Sequence, residues 1–390
     1  MKKLLVLAVA IALASFVVSD LRAESGSELE ISGNVTTVTG WQHARNGARQ
    51  NPATAGLLGD GLAAMGGGGV TAAANGITTF GFFIDQVELD LAKSFGENIR
   101  IRADLDFTPA GPGKGGALGG SGDVLVEQAY TTANIPAGNG IELLVGRFNS
   151  GIGLDPIDRN EMKTISHNMI HRDLLPHNLT GTRLGYDFND RVRWEAFIVN
   201  DLGDRAVGAT SGMPSLGSNL SYAWGDEGNK SWVKFSAAGG PERATKAGWS
   251  FLGDLSASVA ATEAFNVGVE GTYRQDDNAA PGNAQFFGGD LQGTYAFSDV
   301  WDGTLRYSYL WDLDTGQVGT PTVTGTNENR GVPGLTYAGQ NHEITLATGY
   351  QITEGARFGL EGRLDLAPSS TGGVASGMGF GLGGTFAYSF

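Results

Sequence analysis

The chain has 390 residues, a formal net charge of −15, 41% hydrophobic and 9% aromatic residues, 62 glycines and no cysteine. It is too apolar for a disordered secreted chain, and without a thiol it can carry neither a disulfide framework nor a lipid-modified bacterial N-terminus. Past the first two dozen residues no apolar stretch approaches the ~20 residues of a spanning helix, so any membrane crossing falls to strands and a helical transporter is excluded.

At the N-terminus, Lys2 and Lys3 precede an apolar run from Leu4 to about Val18 and then Ser19 to Ala23. Residues 1–23 read as a secretory signal peptide, with the mature chain, 24–390, starting near Glu24. Cleavage after Ala14 suits the small-residue rule at the third position back but leaves a very short apolar core; an uncleaved anchor is the other alternative. Removing 1–23 takes away Lys2, Lys3 and Arg22 (+3) and Asp20 (−1), so the net charge of −15 becomes −17.

A Gly/Ala-rich loop from about His43 to Asn75 follows the first strand. The first clear hairpin comes next. Val87, Leu89, Leu91, Ile99, Ile101, Ala103, Leu105 and Phe107 share one face, and Glu88, Asp90, Arg100, Arg102, Asp104 and Asp106 share the other, across a turn at Phe95 to Asn98. That is oil outside and charge inside. Further breaks fall at Pro136 to Asn139, Asn189-Asp190, Asp226 to Asn229, Thr262-Glu263, Ser298-Asp299 and Thr353 to Gly355, each between alternating runs.

One loop, 149–176, is unlike the rest. It holds Asp155, Asp158, Arg159, Glu161, Lys163, His167, His171, Arg172 and Asp173 among Ile152, Leu154, Ile157, Ile165, Met169 and Ile170. A solvated external loop has little use for so many apolar side chains, so it is expected to fold against the inner wall and constrict the lumen. Asp155, Asp158 and Glu161 would then face wall arginines and set up a transverse field.

Downstream, Val192, Trp194, Ala196 and Ile198 alternate with Arg193 and Glu195, and Leu305, Tyr307, Tyr309 and Trp311 flank Arg306. Phe358 to Leu366 alternate with Arg357, Glu361, Arg363 and Asp365, and the chain ends on Met378, Phe380, Leu382, Gly384, Phe386, Tyr388 and Phe390 at every second position. A last strand that stops on a bulky aromatic suits a barrel whose end ring lies at the periplasmic interface. The count is about 16 strands, seven short turns and eight longer loops: an all-β, single closed antiparallel transmembrane β-barrel, wide enough for an aqueous lumen. Its expected pore-lining residues are Arg100, Arg102, Asp104, Asp106, Arg147, Arg183, Arg193, Glu195, Arg306, Glu361 and Arg363. Those charges are mixed, so the wall declares no ion preference and the surplus acid belongs to loops and turns.

Glu127-Gln128-Ala129-Tyr130, Asn134-Ile135-Pro136, Val145-Gly146-Arg147-Phe148-Asn149, Gly151-Ile152-Gly153, Leu179 to Tyr186 and Phe197 to Asn200 resemble the OmpL-like outer-membrane β-barrel porin family, most strongly between about Asp85 and Asp201. The resemblance implies an outer-membrane channel with no catalytic residues and with Arg147 and Arg183 facing the lumen. The histidine-containing loop and the Gly/Ala-rich first loop depart from the family pattern.

Other chemistry is weakly signalled. His167 and His171 stand four apart near His177, but Asn168 occupies the place of a zinc protease's glutamate. Gly66 to Gly69 and Gly115-Gly116 have no helix behind them, and Lys114 precedes Gly115 rather than Ser or Thr, unlike a phosphate loop. Asp312, Asp314 and Gly316 begin like a calcium loop but Val323 stands where its glutamate is needed. Trp41, Trp194, Trp249, Trp301 and Trp311 suit an interfacial girdle. The sequence therefore reads as a porin of the bacterial outer membrane, passing small hydrophilic solutes and ions passively, without metal, cofactor, catalysis or a nucleic-acid partner. Its partners are membrane lipid and, as for general pores, two further copies in a homotrimer. The alternative is a surface-structural or adhesive barrel with an occluded lumen.

Overall fold

Period-two alternation gives every strand one apolar and one polar face, and closing the sheet on itself leaves no unpaired edge. In the computed structural model, residues 28–45, 77–107, 124–203, 212–226, 230–241, 248–279, 282–313, 340–367 and 377–390 are described. They form sixteen antiparallel strands in one closed barrel, each paired with its neighbours in sequence and the last with the first. The strands are β1 (Glu30–Arg45), β2 (Ile77–Phe95), β3 (Ile99–Phe107), β4 (Val124–Ile135), β5 (Ile141–Asn149), β6 (Asn178–Asn189), β7 (Val192–Val199) and β8 (Ser215–Trp224). The second half comprises β9 (Ser231–Pro241), β10 (Trp249–Ala260), β11 (Phe265–Ala279), β12 (Gly282–Ser298), β13 (Trp301–Asp312), β14 (Gln340–Gln351), β15 (Ala356–Ala367) and β16 (Gly377–Ser389).

The seven short turns at one end fall where the chain breaks lie in the sequence. At the other end the connections are longer, with one difference: β11 and β12 run on to Ala279 and Gly282, so only two residues separate them. Ladder pairing there persists where a loop was expected. The presumed signal peptide, the greater part of the Gly/Ala-rich first loop and the glycine clusters lie outside the described residues.

The outer face is oily. Phe82, Leu291, Leu305 and Leu346 are each more than half exposed, an arrangement stable only against an apolar medium. Aromatics cluster near both strand ends: Tyr186 with Phe188, and Phe297 with Tyr295 and Trp301, at the short-turn end; Trp41 with Phe380, and Phe80 with Phe82, at the other. Phe390 joins the seam, its amide donating to Gly33 O (3.1 Å) and its carbonyl accepting from Gly33 N (3.3 Å).

Of the register irregularities among the described strands, two β-bulges change which side chains face inward. One at Asp85 brings Asp85 and Gln86 together into the interior, and one at Glu127 does the same for Glu127 and Gln128; all four side chains are buried.

Candidate functional site: the barrel interior and its inserted segment

The β5–β6 connection, 150–177, does not leave the barrel. Its neck is pinned where Ser150 N donates to His177 O (2.7 Å) and Ser150 Oγ to Pro176 O (2.6 Å). From there it enters the interior because its apolar side chains have a second surface to cover: Ile152, Met169, Ile170, Leu174 and Leu175 bury themselves against inward-facing Phe148, Phe197, Leu252, Phe286 and Leu310. At ~1.5–3 kcal/mol per fully buried side chain, this apolar contact is a large part of what holds the segment in. A one-and-a-half-turn helix, α1 (Met169–Asp173), lies in this core, capped by Asn168 Oδ1 accepting from His171 N (2.7 Å).

The polar half of the segment is tied to one side of the wall after another. Lys234 (β9) donates to Gly151 O, Ser256 (β10) to Gly153 O (3.3 Å), and Arg274 (β11) to Leu174 O (2.8 Å). Glu270 (β11) accepts from Leu154 N and Asn168 Nδ2, both at 3.3 Å. Glu361 (β15) accepts from Ile165 N (2.6 Å), Ser166 N (3.2 Å) and Ser166 Oγ (2.6 Å). Arg306 (β13) donates to Thr164 Oγ1 (2.9 Å) and Ser166 O (2.8 Å), and Arg363 (β15) to His167 O (3.0 Å). Asn160 reaches Ser389 (3.0 Å), and Arg159 returns to β2, pairing with Asp85 (3.1 Å) and donating its amide to Gln86 (3.0 Å).

Beneath the segment lies a buried ionic network. Arg306 meets Glu343 at 2.6 Å and Asp155 at 3.7 Å, and Arg363 meets Glu343 at 3.1 Å and Asp365 at 3.0 Å. The side chains of Arg306, Arg363 and Glu343 are 0% exposed. Arg306, Glu361 and Arg363 thus face inward, as alternation requires, but under the segment rather than onto open water. Between the segment and the β1/β14–β16 wall lies a gap of ≈ 20 Å³, beside Arg159 and Ile165.

On the β3–β7 arc, Phe148 and Phe197 pack against the segment, and the arc opens toward the short-turn end. Side chains of Arg102 and Arg193 are 32% and 31% exposed there. Arg102 pairs with Asp104 (2.7 Å) and Asp90 (3.8 Å). Arg193 holds Glu142 (2.8 Å), Asp187 (2.9 Å) and Glu195 (3.1 Å), and Arg183 holds Glu142 (3.4 Å) and Glu195 (3.6 Å) above the Phe148 ring. Arg100 sits at the turn end with Glu30 (2.6 Å). Arg147 is buried, its Nε donating to Glu127 O (3.1 Å). A cavity of ≈ 490 Å³ opens at this end between Asn134, Glu142, Asp187 and Arg193.

Of the loop carboxylates, Asp155 meets an arginine. Burial pushes its pKa up, against the pull of Arg306. Asp158 does not: it faces carboxylates, because the neighbouring Arg159 turns away to Asp85. Burial, then repulsion from Glu161, Asp90, Asp106 and Asp104, raises Asp158 to about 7. Glu161 is exposed. The three histidines stack, His167 on His171 (4.0 Å between centroids) and His171 on His177 (4.3 Å), instead of converging on a shared point. Burial and the nearby Arg159 hold His167 well below its ordinary pKa.

Sequence alternation alone did not reveal Glu127, since the bulge puts it out of phase. The motif around Gly146 has a plain cause: φ is +142° there, and any Cβ would strike the backbone of Ala129 and Tyr130.

A sixteen-stranded barrel with an oily belt, a charged interior and an inserted third loop matches, over residues 28–386, the family described as "Putative beta-barrel porin-2, OmpL-like". The chain belongs to this family. It is accordingly a porin, a channel of the bacterial outer membrane. Its fold is similar to that of the outer membrane channel DcaP of Acinetobacter baumannii (13% identity, TM-score 0.60, covering 94% of this chain and 99% of that one). It is also similar to an anion-selective porin from Comamonas acidovorans (11%, 0.57, 94% and 100%) and to a trimer form of OmpT of Vibrio cholerae (12%, 0.54, 94% and 100%). No curated protein matches it by sequence.

Proposed function

We propose that segment 150–177 sets the narrowest section of this porin, and that small hydrophilic solutes and ions pass beside it, along the β3–β7 arc. The observation that carries this reading is the contrast between a gap of ≈ 20 Å³ on the β14–β16 side and a cavity of ≈ 490 Å³ at the foot of the open arc. Arg100, Arg102, Arg183 and Arg193 on the arc are each matched by carboxylates, so passage orients and hydrates polar solutes without trapping one sign of charge. Transport follows the gradient, with no cofactor and no catalytic step. Residues 1–23 act as the export signal, and three copies assemble as in the OmpT trimer form.

The absence of native cysteine makes the test clean. Single cysteines are introduced at Thr132, across from Arg100 on the open arc, and at Thr345, 0% exposed under the segment. A charged, water-soluble thiol reagent is then applied during single-channel recording in a planar bilayer. It should step the current down at Thr132→Cys and leave Thr345→Cys untouched. The reverse pattern refutes this path, and a correctly inserted barrel without current steps means a closed lumen whose barrel acts through its outer loops.

A further inference from the structure

We infer that the short-turn end of the lumen carries a subsite for neutral solutes built of linked sugar rings, with Trp232 as the surface on which one ring stacks. The inference rests on the reading that solutes pass along the β3–β7 arc, and it names their chemical class.

The chain has seven tryptophans. Trp41, Trp194, Trp249, Trp301 and Trp311 pair or alternate with lipid-facing side chains, and Trp224 follows Tyr222 on the same outward phase. Trp232 is the exception. In β9, Val233 and Phe235 point outward, whereas Trp232, Lys234, Ser236 and Ala238 point inward, and Ala238 joins the core under the segment. A role in the interfacial girdle therefore does not account for this indole. Its cross-strand neighbours, Ala223 and Ser258, are too short to cover it, and it is half-buried. Lys234 Nζ lies 5.1 Å from the ring centroid. Among the described residues no second ring packs on the indole and its Nε1 has no hydrogen bond.

A separate observation lies two strands away. Arg193 on β7 pairs with Ser221 on β8, which pairs with Lys234 on β9, so the edge of the ≈ 490 Å³ cavity stands about 10 Å from this part of the wall. The cavity offers the exposed carboxamides of Asn98 and Asn134, whose side chains make no hydrogen bond among the described residues, together with Glu142, Asp187 and Arg193. Carboxamides donate to and accept from hydroxyls, and an aromatic face takes the C–H face of a sugar ring. The charges favour a neutral solute. Lys234 stands near Asp254, Glu270 and Glu195 and donates to Gly151 O, and Arg193 is held by three carboxylates, so both cations are already matched. The separation of indole and cavity favours linked rings, since a single ring cannot touch both.

Maltotriose is the probe. The mature protein, shown to be folded by its heat-modifiable band, is kept in a detergent without a sugar headgroup and examined by saturation-transfer NMR, which reads contact whether or not the pore conducts. Transfer to the sugar protons is expected in the parent. The titration midpoint should rise about five-fold in Trp232→Ala, and change little in Trp232→Phe or in Trp249→Phe, an outward control. Asn98→Ala combined with Asn134→Ala, at two exposed positions, should weaken binding as well, and it replaces Trp232→Ala if that variant does not fold. No transfer in the parent, equal transfer in parent and all variants, or equal transfer to a poly(ethylene glycol) of the same mass would overturn the subsite. Planar-bilayer recording tells the two ideas apart. Current steps without sugar contact leave the pore standing and remove the subsite, whereas a closed barrel that binds maltotriose through Trp232 keeps the subsite and removes the path.

Discussion

Arg306→Met tests how the inserted segment is held. Arg306 is fully buried, donates to Thr164 Oγ1, Ser166 O and Ser166 Oγ on the segment, and neutralises Glu343 at 2.6 Å and Asp155 at 3.7 Å. Removing one partner of such a buried pair costs about 3–5 kcal/mol, because the charge left behind is stranded. Arg363 still pairs with Glu343 at 3.1 Å and Asn168 N still donates to Asp155 at 2.9 Å, so the low end applies. About 3 kcal/mol changes the ratio of seated to released segment about 150-fold. Single-channel traces of the refolded variant should show a larger or flickering open level, and a cysteine at Thr345 should become reactive in the Arg306→Met background. Adding Glu343→Gln, which removes the stranded carboxylate, should recover part of the loss. A folded Arg306→Met barrel with unchanged step size, noise and thiol reactivity would refute the reasoning.

Arg193→Glu replaces the counter-charge of three carboxylates with a fourth acid; a two-unit change at ~7 Å in water is worth about 1 kcal/mol, so the anion-to-cation permeability ratio from reversal potentials should fall about five-fold. His167 is held neutral by burial, by Arg159 and by its histidine neighbours, with Nε2 on Pro156 O and its carbonyl on Arg363. Its folded pKa lies below the unfolded one, so the stability it contributes is present above about pH 6.5 and is lost as pH falls further. Recordings at about pH 5 should therefore show a noisier channel than at about pH 7.5, and His167→Gln should remove part of that difference. Gly146→Ala forces a Cβ into the Ala129 carbonyl at φ +142° and should lower the heat-modification temperature, at a cost of about 1–3 kcal/mol or more. Ile170→Ala, at a fully buried side chain, should cost about 2–5 kcal/mol of segment seating and appear as more frequent transitions from the same main level.

The barrel was legible because lipid and water impose opposite demands on successive residues. Leu89 faces Leu105 and Leu91 faces Ala103 on the outside, while Glu88 faces Asp106 and Asp90 faces Asp104 within, as the alternation requires. The unusual chemistry of the β5–β6 loop was legible for the same reason, since Ile152, Met169 and Ile170 have no place in bulk water. What alternation cannot express is a change of phase. The bulges at Asp85 and Glu127 turn adjacent residues the same way, and Glu127 was therefore missed. Nor does parity say whether an inward residue meets water or protein: Arg193 and Arg306 have the same pattern, and the difference between them is the path of a loop far away in sequence.

That path divides the labour within the segment. Its apolar half, around α1, is held by contacts that are strong but non-directional, and several nearby positions would bury almost as much surface. Its polar half has no such freedom. Glu361 takes two successive amides and a hydroxyl from Ile165 and Ser166, and a shift of one residue would leave a buried carboxylate facing the wrong groups. An ionic network of this kind adds little net stability over well-packed apolar side chains, so its use lies in fixing one register. For a pore the register matters more than the stability, because a slide of a single residue along the wall, ~3.3 Å, is comparable to the size of the water molecules and ions that must pass.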